Sequence, residues 1–166
     1  GDHVPAVEYV QRAAFRQRRL IAIGWHLLGG LEGLTVEQVM QRLQATFPKN
    51  QARWDRDLET ILLFRDTMRR HDLVIMAPYR KDEERVAVGQ VDGKYKFRPS
   101  QDKHDLVLAQ QRSVIWHGLD EPRNGLPDSI QRSIRKLTLV ETDVHDLLGY
   151  CEERGYKLRQ PDERAV

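Results

Sequence analysis

Apolar residues recur at two different periods along this chain. Val7, Val10, Ala14 and Phe15 come at helical spacing, with Arg12, Arg16, Arg18 and Arg19 between them. That pattern predicts an opening helix over Pro5 to Leu20 with a basic face. Leu20-Ile21-Ala22-Ile23 predicts a short buried strand that leaves sharply at Gly24. Gly29-Gly30 and Gly33 predict a loop. Thr35, with Gln38 three residues on, forms a capping-box pattern ahead of Val36, Val39, Met40 and Leu43. Phe47-Pro48-Lys49-Asn50 breaks that helix, and a third is expected from about Asp55 to Arg70. His71-Asp72 then turns into a strand from Leu73 to Ala77.

Beyond this point the period becomes two. Arg85 to Val91 alternates, Asp92-Gly93 is a hairpin signal, and Lys94-Tyr95-Lys96-Phe97 reads as the returning strand. Arg112 to Trp116 predicts a further strand and Ser129 to Arg135 a short helix. Thr138-Leu139-Val140 reads as an extended piece and Thr142 to Tyr156 as a closing helix ending at Gly155. The fold class expected is α+β: a small curved mixed β-sheet or partial barrel of five or six strands, with inserted and flanking helices. No 20–50-residue period repeats, which excludes solenoids and propellers.

Composition narrows the classes. With 166 residues and 40% hydrophobic positions the chain can bury a core. A net charge of +2, from 27 basic and 25 acidic residues, argues against holding nucleic acid by bulk charge. The longest apolar runs are far shorter than the roughly 20 residues of a membrane span, and no signal peptide opens the chain. The single Cys151 excludes an internal disulfide and suits a reducing cytoplasm. Gly1 reads as a cloning remnant and Gln160 to Val166 as a cut linker, so an excised module of a longer protein is expected.

Enzymatic templates fail in turn. There is no phosphate loop ending in Lys-Ser/Thr, no Gly-x-Ser-x-Gly and no nuclease-type Asp with a following Glu-x-Lys. Cys151 sits inside a helical stretch and reads as a buried thiol. The histidines (His3, His26, His71, His104, His117 and His145) form no His-x-x-x-His pair, and Asp82-Glu83-Glu84 reads as a solvated hairpin tip. Neither a cofactor nor a metal is expected.

The tryptophans stand out by position. Trp25 follows the exit glycine of the first strand, Trp54 opens the third helix, and Trp116 closes a strand just before His117-Gly118. Any one of them alone would be expected to cover an edge of the core. All three lie at element ends among polar residues, where a ring face can receive a planar group. Stacking of a base on an aromatic ring contributes about 1–3 kcal/mol, and a buried methyl adds about 0.8 kcal/mol.

The ordered set Leu20 to Trp25, Phe64 to Ile75, Val86-Ala87-Val88-Gly89-Gln90-Val91 and Arg112 to Trp116, followed by Leu126-Pro127, resembles the EVE-like branch of the PUA superfamily. It is most similar to reader modules that precede the nuclease or motor of modification-dependent restriction proteins, and it shares its layout with YTH domains. The resemblance covers roughly Leu20 to Val140. Beside an N-terminal helix over 1–19, a packed C-terminal helix over 141–159 and a tail over 160–166, all of which lie outside it, the resemblance implies a reader domain over 20–140. It further implies a non-catalytic module that flips a methylated or hydroxymethylated DNA base into an aromatic pocket and so targets an attached effector; RNA is the less expected ligand. Trp54 and Trp116 match the cage aromatics, and Gly24, Trp25 and His26 the segment that reads the base edge. Asn50 and Tyr79 complete the candidate pocket, and Arg53, Arg56, Arg80, Lys81, Arg98 and Arg123 are candidate phosphate contacts. His71 departs from the usual turn glycine, and the insertion from Trp25 to Asn50 alters the spacing to Trp54. The competing expectation is a protein-interaction domain with structural tryptophans and no base pocket.

Overall fold

The structure, a computed structural model, describes residues 19–76, 85–102, 106–133 and 141–161. Within them lie strands β1 (Leu20–Ile23), β2 (Leu73–Met76), β3 (Arg85–Val91), β4 (Lys96–Phe97) and β5 (Gln110–Pro122). The α-helices are α1 (Val36–Thr46), α2 (Trp54–Leu62), α3 (Asp128–Ser133) and α4 (Glu141–Glu153). The opening helix predicted over Pro5 to Leu20 lies outside the described residues up to Arg18, and Leu20 begins β1. The extended piece Thr138 to Val140 also lies outside them.

The chain forms two compact units, Gly1–Arg69 with Gly93–Ser113, and Arg70–Asp92 with Val114–Val166. All described strand pairs are antiparallel, so the α+β class holds while the expected mixed sheet does not. Only eight residues separate β2 from β3, too few for the crossover that a parallel pair requires.

In the first unit, β5 pairs with β1 through Leu20↔Ser113 to Ile23↔Gln110, and with β4 through Lys96↔Gln111 and Phe97↔Gln110. The helices of this unit are inserted after β1. Thr35 caps α1 as its sequence foretells: its side chain accepts from the Gln38 N–H while Gln38 accepts from the Thr35 N–H. The helix predicted to reach Arg70 stops earlier. α2 passes at Leu63 into a π-turn through Thr67, closed by the Met68 N–H donating to the Leu63 carbonyl. Leu28, Leu31, Val39, Leu43, Ile61, Phe64 and Tyr95 form the core of this unit.

The hairpin expected at Asp92-Gly93 is also corrected, because β4 pairs with β5 and β3 pairs with β2 and β5. Two non-local interactions overrule the local turn signal. Tyr95 is buried in the first core, edge-on to Phe64, and the Gly93 carbonyl accepts from Arg112.

In the second unit, Val86, Val88, Leu126, Ile130, Leu147, Tyr150 and Cys151 form the core. β5 continues well past Trp116, which therefore sits inside a strand and does not end one. Register shifts around Val88 let β5 stay paired as far as Arg85↔Pro122. The sequence hides this extension because Glu121 is charged yet buried, where it accepts from Tyr150 and Arg154. α4 ends at Glu153, before the predicted Tyr156. Gly155 takes φ 75° and the Tyr156 N–H donates back to the Cys151 carbonyl.

Arg112 joins distant pieces of the first unit. It is 4% exposed and donates to the carbonyls of Gly93 (3.0 Å), Phe64 (3.0 Å) and Met68 (2.7 Å). A buried carbonyl left without a donor costs about 1–3 kcal/mol. Arg112→Met is therefore expected to lower the unfolding free energy by roughly 3 kcal/mol or more, read as a shift of the urea midpoint at unchanged slope.

Candidate functional site

The segment from Trp25 to Leu34 lies between β1 and α1 and carries the densest set of side-chain-to-backbone bonds in the first unit. Trp25 adopts φ 64°, ψ 30°, a left-handed conformation that a bulky residue enters at a cost of about 1–2 kcal/mol. The exit glycine is thus not the strained residue; the tryptophan is. Its carbonyl accepts from the Leu28 N–H at 3.0 Å and from Gln110 Nε2 at 3.1 Å. Trp25 is half-buried, resting on the core of the unit, whereas Leu27 is 64% exposed.

Gln110 is fully buried in β5. Its second Nε2 proton goes to the Gly29 carbonyl at 2.8 Å, and its Oε1 accepts from the Tyr95 hydroxyl. That hydroxyl in turn accepts from the Leu31 N–H at 3.1 Å. Burial raises the Tyr95 phenol above its ordinary value of 10.0, so it remains a proton donor. Arg42 donates to the carbonyls of Leu28 and Gly30, and Arg65 to those of Leu31 and Leu34 while pairing in two-point fashion with Asp66. Three side chains thereby hold six carbonyls of one loop.

The other candidates fall as follows. His26 is half-buried at the start of the 3₁₀ turn His26–Leu28. Trp54 rests on the same core as Trp25, and its indole N–H is spent on the Phe47 carbonyl at 2.9 Å, tying the start of α2 to the end of α1. Asn50, Arg53, Arg56 and Arg98 are exposed, and Arg53 lies 3.8 Å from Asp57. Tyr79, Arg80 and Lys81 lie outside the described residues, as do Asp82, Glu83 and Glu84. Arg123 and Trp116 belong to the second unit. There Trp116 faces Gly89 across the β3–β5 ladder, and a Cβ on Gly89 would come within 2.7 Å of the indole ring and 2.5 Å of the Ile115 carbonyl. Trp116 thus covers a glycine in the sheet, a packing role that its place in the sequence does not disclose.

Over residues 7–142 the sequence matches a family described as a domain of unknown function, DUF8426. The chain belongs to that family. No curated protein and no solved structure matches it.

The second unit of this DUF8426 chain has a polar clamp of its own, centred on Gln90. Buried in β3, Gln90 donates from Nε2 to the carbonyls of His71 (2.8 Å) and Arg159 (2.7 Å). Its Oε1 accepts from the Arg159 N–H (3.0 Å) and from His117 Nε2 (2.9 Å). Both amide protons go to carbonyls, so Oε1 can only accept, and the neutral His117 carries its proton on Nε2. Tyr156 stacks on His117 with ring centroids 6.0 Å apart, and His71 Nδ1 reaches the Gln160 carbonyl at 2.8 Å. Among the described residues no group of three or more His, Cys, Asp or Glu could hold a metal ion. The cleft between α3 and α4, lined by Asp128, Asp146 and Glu153, has the wrong sign for phosphate. Gln90, Tyr95 and Gln110 escaped the sequence reading. The one available signal was an amide inside the apolar run Val86 to Val91.

Two outcomes follow from these clamps. Gln110→Leu removes the donor to the Trp25 and Gly29 carbonyls, and amide exchange at Leu28 and Leu31 is expected to speed up roughly thirtyfold, for about 2 kcal/mol of lost bonding. Burial first, and the Arg159 charge second, lower the His117 pKa below 6.5. The unfolded chain therefore takes up this proton at a pH where the folded one does not. The stability contribution is complete above pH 6.5 and falls as the pH drops towards the folded value. A pH series of denaturant melts should show this acid-side decline, and His117→Gln should flatten it.

Proposed function

We propose that this domain is a non-catalytic nucleic-acid-binding module that tests a base at the loop following β1, and that it reads a methylated or hydroxymethylated base in DNA. The observation that carries the reading is Trp25, a bulky residue held left-handed at the head of a loop two of whose carbonyls are tied to the buried Gln110. Such strain persists only where the surroundings over-determine it, and a pre-organised aromatic is what stacking on an extruded base requires. The ordered motifs of β1, α2–β2, β3 and β5 support the same reading, as does an antiparallel sheet with helices inserted after its first strand, which is compatible with a PUA-like arrangement. In this proposal Trp25 and His26 meet the base, with Asn50 and Trp54 of the same unit as further pocket candidates. Arg53, Arg56 and Arg98, also of this unit, are the corresponding phosphate candidates. An attached effector in the cytoplasm would act on the marked DNA. Flipping costs a few kcal/mol, and stacking plus burial of the added methyl offset it.

A second reading, a protein-interaction domain, is favoured by the exposed Leu27 (64%) and Val36 (49%) of the first unit. Short duplexes with and without 6-methyladenine, 5-methylcytosine or 5-hydroxymethylcytosine separate the two. A reader prefers one modified duplex at least several-fold. Trp25→Leu, which keeps apolar packing but removes the π-face, should abolish that preference while the thermal midpoint stays close to that of the parent. Equal binding to every duplex would support the interaction reading.

A further inference from the structure

The residues flanking β4 alternate in burial: Lys94 is exposed, Tyr95 buried, Lys96 exposed, Phe97 half-buried and Arg98 exposed. Tyr95 and Phe97 turn towards the core of the first unit and leave three cations on the opposite side. None of these three makes an ion pair among the described residues, whereas Arg53, Arg65, Arg70, Arg154 and Arg159 each have a carboxylate within 4.0 Å. Glu32, which approaches β4, accepts from the Phe97 N–H. An exposed row of like charges repels itself and is not explained by packing.

The row is also joined to the Trp25 loop. Phe97 pairs with Gln110 in β5, and Gln110 holds the carbonyls of Trp25 and Gly29. The Arg98 N–H donates to the Ala109 carbonyl, which fixes the far end of the row against the approach to β5.

We infer that Lys94, Lys96 and Arg98 form a phosphate-tracking edge that lays one nucleic-acid strand alongside the Trp25 loop. The inference deepens the proposed function and rests on it. Alternate residues of extended chain are about 6.6 Å apart, so the row spans about 13 Å. Laid along the duplex axis, where each strand carries one phosphate per 3.4 Å, the row runs past roughly four phosphates of one strand. The contacts are to the backbone, so they set affinity and register without reading the base.

The experiment measures the salt dependence of binding for the full chain and for Lys94→Gln/Lys96→Gln/Arg98→Gln, on an unmodified duplex and on the preferred modified one. Three neutralised phosphates contribute about 2.7 to the slope of log K against log salt. The triple variant is expected to lose between two and three units of slope and roughly tenfold or more in affinity near 0.1 M salt, equally on both duplexes. The ratio between the duplexes should persist, because it is set elsewhere. An unchanged slope with the ratio intact would overturn the edge and leave the base reading standing. A slope that falls as expected with no preference between duplexes would support the edge and remove the base reading. Failure of the parent chain to bind either duplex, or a comparable loss of binding to anionic vesicles alone, would overturn the assignment to nucleic acid.

Discussion

A carbonyl withdrawn from water must find a donor, and where no neighbouring strand or helix supplies one, a side chain has to. In this protein the task falls to a few amides and guanidiniums. Gln110, Arg42 and Arg65 serve the loop after β1, Arg112 serves the end of the helical insertion, and Gln90 serves the segment that follows α4. Each replaces a missing stretch of backbone ladder. Each also converts an irregular segment into one with a single arrangement, because few rotamers satisfy all its partners, and Gln90, Gln110 and Arg112 are themselves buried.

This explains how a short insertion can present a strained tryptophan. Left-handed backbone at Trp25 opposes the fold, and two donors on its own carbonyl offset it. The aromatics near it are divided between duties. Trp54 spends its polar handle on holding α1 to α2, while Trp25 has its carbonyl held by two donors and its side chain resting on the core. In the proposed reading that second arrangement favours binding, since the entropy of ordering the loop is spent before any ligand arrives.

The second unit applies the same device with a titratable member. The four bonding positions of the Gln90 amide are all occupied, one of them by His117, whose neutral state is favoured by burial and by the nearby Arg159. The segment after α4 is thus joined through Gln90 to an imidazole on β5, although it carries no histidine of its own.

Elements governed by local pattern were legible in the residues alone. The capping box at Thr35, the strands Leu20–Ile23 and Arg85–Val91, the turn at His71-Asp72 and the helix stop at Gly155 each follow from periodicity or from one residue's backbone preference. The α+β class follows from their order. What tertiary structure alone decided involves pairs far apart in the chain. Asp92-Gly93 is not a hairpin because Tyr95 and Arg112 capture the chain beyond it, and β5 outruns its apolar pattern because Tyr150 and Arg154 satisfy Glu121. Trp116 covers Gly89, and Gln110 reaches back to Trp25, eighty-five residues earlier. A polar residue inside a strand carries no local mark of the carbonyl it will serve. Its partner exists only once the chain has folded around it.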